Sequence, residues 1–86
     1  MPTISAFLGI VIRMYYDDHA PPHFHAIYGS ASAQITIDTL EIREGSLPTR
    51  ALALVLEWAS LHREELRADW RRAEQHEQLQ SIEPLE

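Results

Sequence analysis

Asp17-Asp18-His19-Ala20-Pro21-Pro22-His23-Phe24-His25-Ala26 is the stretch from which the fold can be read. It holds three of the chain's five histidines, two adjacent carboxylates and two of its five prolines. Each proline fixes φ at about −65° and drives its predecessor into extended geometry. The pair therefore delivers His23 into a short strand that runs to Tyr28. Successive strand side chains point to opposite faces, and residues two apart share a face with Cα atoms about 6.5–7 Å apart. Phe24, Ala26 and Tyr28 form the apolar set and belong against the core. His23 and His25 are then expected together on the other, open face of the sheet.

Upstream, Ile10, Ile12, Met14 and Tyr16 alternate with Val11, Arg13 and Tyr15, the period-two pattern of a strand with one wetter face. Gly9 separates this run from Ile4-Ser5-Ala6-Phe7-Leu8 and marks a tight turn or bulge. Downstream, Gly29-Ser30 turns the chain into a strand from Ala31 to Ile37. After a turn at Asp38-Thr39, Leu40 to Glu44 reads as a further strand. Gly45-Ser46-Leu47-Pro48 reads as a helix start, with Ser46 as cap and Pro48 in the first turn. Ala51, Leu54, Val55, Trp58, Leu61, His62, Leu66, Trp70 and Ala73 then step at threes and fours, which predicts one long helix ending near Gln75 or His76. Trp58 and Trp70 fall on its apolar stripe and read as core, and His62 as a packed histidine. Glu64 and Arg67 pair on the charged face. The apolar residues of the tail, Leu79, Ile82 and Leu85, should pack back in extended form. The expected architecture is a single α+β domain over residues 1–86: an antiparallel meander of about four strands, with one long C-terminal helix packed on one face.

Composition narrows the class. At 86 residues, 45% hydrophobic and 23% charged, the chain matches an ordinary globular domain. No apolar run approaches the roughly 20 residues of a membrane span. Met1-Pro2-Thr3-Ile4-Ser5 lacks the basic region of a signal peptide. Cysteine is absent, which removes disulfides and thiolate metal sites and fits a cytoplasmic location. The net charge of −6 comes from thirteen acids against seven arginines. Such a chain gains little from general attraction to phosphate, so contact with nucleic acid would need a local cluster of arginine and histidine.

By parity the open face carries Arg13, Tyr15, Gln34, Thr36 and Arg43 beside His23 and His25. Three readings of the histidine pair follow. The histidines can be structural, hydrogen-bonded to the turn carboxylates. They can form a metal-free phosphodiester site, with His23 or His25 as acid and base, Tyr15 beside them, and Arg13 or Arg43 opposite the developing negative charge. They can also share a divalent metal with His19, Asp17 or Asp18, the ligand types that suit zinc. The catalytic reading rests on His23, His25, Arg13 and Tyr15, with His19, Thr36 and Arg43 as binding residues and no cofactor. A divalent metal at His23 and His25 is the alternative. Asp17 and Asp18 read as turn-formers first.

Met1-Pro2-Thr3-Ile4, Gly9-Ile10-Val11-Ile12, Met14-Tyr15-Tyr16-Asp17-Asp18-His19, Pro21-Pro22-His23-Phe24-His25-Ala26, Leu47-Pro48 and Glu57-Trp58-Ala59 with Leu61-His62 together resemble a family of small prokaryotic domains. It is the domain-of-unknown-function family numbered 4160. The resemblance implies a toxin-like component of a toxin–antitoxin module, partnered by a small antitoxin-like protein of a second domain family, numbered 2442. An RNA-cleaving activity through the histidine pair is the expectation, with a non-catalytic protein-binding module or a small metal-binding domain as alternatives. The resemblance brings no catalytic residues of its own. Leu40 departs from it, standing where a glycine is expected in the turn.

Overall fold

The computed structural model describes residues 2–86; Met1, the first residue of the resemblance, lies outside the described residues. Five strands form one antiparallel sheet in sequence order: β1 (Thr3–Phe7), β2 (Ile10–Arg13), β3 (His23–Tyr28), β4 (Ala31–Thr36) and β5 (Ile42–Ser46). Two helices follow, α1 (Thr49–Leu61) and α2 (Arg63–Glu74). The α+β class and the meander are as the sequence predicts. The sheet has five strands rather than about four, and the single long helix is two.

The helix breaks at His62, whose backbone (φ −123°, ψ 26°) leaves helical geometry for one residue. Its Nδ1 lies 2.6 Å from a Glu65 carboxylate oxygen, and the ring packs on Trp58. The buried residues Ala59, Leu66 and Ala73 keep a spacing of seven across the break. Sequence periodicity therefore runs through it unbroken. The consequence is spatial. α1 lies on one sheet face, where Trp58 meets Phe7 and Phe24 at ring-centroid distances of 5.4 and 5.9 Å. α2 follows the end of the sheet where β3 begins and β4 ends. Arg63 Nε donates to Ile37 O, and Arg67 bridges Asp38 and Glu64.

Cross-strand register confirms the inward set. Ile12, Ala26, Ala33 and Gly45 form one row, and Phe24 sits opposite Ile35. Apart from Gly45, which is exposed on the edge strand β5, they join Ile10, Met14, Ile37, Val55 and Trp58 in the buried core. Tyr28 shares this face but lies at its margin, 41% exposed. The opposite row is Arg13, His25, Gln34 and Glu44.

Two boundaries differ from expectation. Gly45 and Ser46 belong to β5, not to a helix start, because Ser46 pairs with Ser32 and Gly45 (φ +81°) must pass against the β4 backbone. Pro48 then caps α1 without a side-chain bond. β5 also begins at Ile42 rather than Leu40, because Leu40 turns the chain with φ +58°, the conformation for which glycine was expected. The tail packs back as predicted: Ile82 N donates to Ile4 O on β1, Ser5 Oγ donates to Ile82 O, and Trp58 Nε1 donates to Glu83 O.

Candidate functional site

Between β2 and β3 the chain makes its turn at Tyr16-Asp17 and then passes Ala20–Pro21, a cis peptide. The excursion returns Asp18 to the head of β3. There Asp18 Oδ2 lies 2.9 Å from His25 Nε2 and 3.2 Å from His23 Nε2. One ligand-type atom from each of the three residues falls within 4.8 Å of the other two. The histidine pair predicted from alternation is thus assembled around a carboxylate that sequence reasoning ranked first as a turn residue. Three carbonyl or ring contacts fix it. His23 Nδ1 sits 2.8 Å from Pro21 O, the His23 ring lies 5.3 Å from Trp70, and Tyr15 meets the His25 ring edge-on at 4.4 Å.

His23 is not on an open face. It is 1% exposed, because α2 turns at the helix break and brings Trp70 over it. His25 remains accessible at 17% and Asp18 at 25% of their side chains. The two histidines therefore differ in kind: His23 is a buried, fixed ring and His25 a solvent-facing one. His23 Nε2 is also buried without a hydrogen-bond partner, since its approach to Asp18 is near but not aligned for one.

The other predicted residues divide. Arg13 lies directly across from His25 in the ladder, and its buried Nε has no partner. Tyr15 joins the cluster, as above. Thr36 is the cross-strand neighbour of His23, but its hydroxyl is engaged with Thr39 and Glu41 O. Arg43 is held two strands away by Gln34, which also bonds Glu44. His19 and Asp17 are exposed and stand outside the triad. Beside the cluster, Tyr15, Tyr16, Asp17, Asp18 and Pro2 line an open hollow of about 640 Å³. Trp70, read from the sequence as core and buried there, and the Pro21 carbonyl were not foreseen at the cluster. The first is brought in by a helix break without a proline or glycine signal, and the second is backbone.

A compact α+β domain with a carboxylate–dihistidine cluster at the sheet's end is the class that fold and site define. The chain belongs to the family described as Domain of unknown function (DUF4160), which matches residues 9–71 and so spans the whole cluster. No curated protein and no solved structure matches it. Among the described residues, no helix is long and apolar enough to cross a membrane.

Proposed function

We propose that this domain is the toxin-like component of a two-protein module in the cytoplasm, and that the Asp18–His23–His25 cluster is its working part. One observation carries the reading: three chemically competent side chains from a turn and a strand meet at a single carboxylate oxygen beside an open hollow. A purely structural histidine pair needs no such hollow. The substrate class that suits it is an RNA phosphodiester, with Arg13 facing the phosphate from across the ladder and Tyr15 walling the approach. The net charge of −6 opposes RNA binding by the isolated chain, so a partner or the ribosome would present the RNA.

Induced expression should arrest growth with loss of RNA integrity, and His25→Ala should abolish both. His25 suits this test because it is accessible, and its truncation leaves the core intact. Arrest that persists in both His25→Ala and Asp18→Ala would sink the catalytic part. A second reading, a non-catalytic module that docks the small antitoxin-like partner, is favoured by the half-buried Val11 and Ile27 on the face that α1 leaves uncovered. Under that reading the domain forms a stable complex on co-expression, and His25→Ala weakens the complex with no RNA loss to abolish.

A further inference from the structure

We infer that Asp18, His23 and His25 form a binding site for one divalent transition-metal ion of the zinc type, with Asp18 Oδ2 and the two Nε2 atoms as ligands. The argument begins with His23. Pro21 O can only accept a hydrogen bond, so the Nδ1 atom 2.8 Å away carries the ring proton. In the neutral imidazole this leaves Nε2 with a bare lone pair. That lone pair is buried, has no hydrogen-bond partner, and stands 3.2 Å from Asp18 Oδ2, a carboxylate oxygen whose hydrogen-bond partner is His25 Nε2 at 2.9 Å. A buried acceptor held against a second, partly exposed acceptor is unfavourable unless something positive lies between them. A proton on Nε2 is poorly placed for the role, because the approach to Oδ2 is not aligned for a hydrogen bond. A metal ion has no such directional demand from one oxygen and sits off the line joining the ligands.

Dimensions and chemistry agree. With metal–ligand bonds of about 2.0–2.2 Å, adjacent ligand atoms in a tetrahedral or octahedral shell are roughly 3.0–3.4 Å apart. The carboxylate oxygen already lies 3.2 and 2.9 Å from the two nitrogens. The bond from His23 Nδ1 to a backbone carbonyl is the outer-shell contact that orients metal-binding histidines. Two imidazoles with one carboxylate favour first-row transition metals over magnesium or calcium, which prefer all-oxygen sets. Three protein ligands leave at least one position for water, as in catalytic rather than structural zinc sites. The acidic chain attracts cations.

The metal site stands on geometry alone; only its use in RNA cleavage rests on the toxin reading. With the ion seated, the histidines act as ligands, and the phosphodiester site is metal-assisted in place of the metal-free acid–base pair that the sequence suggests.

Calorimetric titration of the purified chain with Zn²⁺ tests the site, with cobalt(II) absorption and histidine ring ¹⁵N spectra as second readouts. One ion should bind per chain, and the Nε2 signals of His23 and His25 should move together. His25→Ala and Asp18→Asn should each weaken binding by at least about 100-fold, since loss of an outer-shell partner alone costs 10–100-fold. His19→Ala should leave affinity unchanged, and both ligand variants should keep the wild-type circular dichroism. Absence of binding at millimolar Zn²⁺ overturns the site. So does binding that both folded variants retain. Zinc binding without growth arrest would reject the toxin reading and keep the metal; histidine-dependent arrest without zinc binding would do the reverse.

Discussion

Leu8 and Gly9 join β1 to β2 as a two-residue turn in which both have positive φ, +51° and +82°. That is the type I′ geometry that matches strand twist, and its first position favours asparagine over a branched apolar residue. Leu8 is 60% exposed and gains little from burial. Leu8→Asn should therefore raise stability by about 1 kcal/mol, the scale of the left-handed penalty, as a higher urea midpoint with an unchanged slope. Gly45 presents the opposite case. A Cβ there would stand 2.3 Å from Ser32 O, in backbone that cannot yield without parting β4 from β5. Gly45→Ala should cost on the order of 2 kcal/mol or more, combining overpacking with positive-φ strain. An equilibrium unfolding midpoint within error of wild type would refute this account of the β4–β5 contact.

The elements were legible to different degrees. The alternation of Ile10, Ile12 and Met14, and of Phe24 and Ala26, located the inward face of β2 and β3, because burial on one face leaves a period-two trace. The helix break left no trace: one non-helical residue at His62 does not shift a stripe that repeats every seven residues. Its effect on the site was correspondingly hidden, for only the break brings Trp70 over His23. Asp18 was one of several partners the sequence offered the histidines, ranked first as a turn-former; which of Asp17, Asp18 and His19 returns to β3 is set by tertiary packing. The tail was readable as apolar anchors, and the structure adds what it covers. β1 is an edge strand, and Ile82 N closes on Ile4 O along it while the Ile82 side chain is 4% exposed. Ile82→Ala should cost about 2–4 kcal/mol, as for other buried isoleucine truncations. Removal of residues 79–86 should in addition bare an unpaired edge and promote self-association, read as a concentration-dependent sedimentation profile. A truncated chain that stays monomeric would mean that β1 is protected by its own sequence.

At the scale of the molecule, the cluster joins parts that otherwise meet through few bonds. Asp18 belongs to the β2–β3 connection, His23 and His25 to β3, and through Trp70 the His23 ring rests on α2. α2 is otherwise held by the buried Leu66 and Ala73 of the core and, at the sheet's end, by the polar contacts of Arg63 with Ile37 O and Arg67 with Asp38. A ligand that binds only the folded cluster stabilises the whole fold by mass action, about 2.7 kcal/mol at a free concentration one hundred times its dissociation constant. For a domain of 86 residues this corresponds to a rise in melting temperature of roughly 10–20 °C. Zinc should therefore produce such a rise in wild type and in His19→Ala, and no more than about 3 °C in His25→Ala. Hydrogen exchange should assign the gain: amides of β3, the 17–22 connection and α2 should slow together, because one ion fixes all three at once. Slowing confined to the connection would show that His23 does not transmit the ligand's hold to Trp70, and that the helix break serves packing alone.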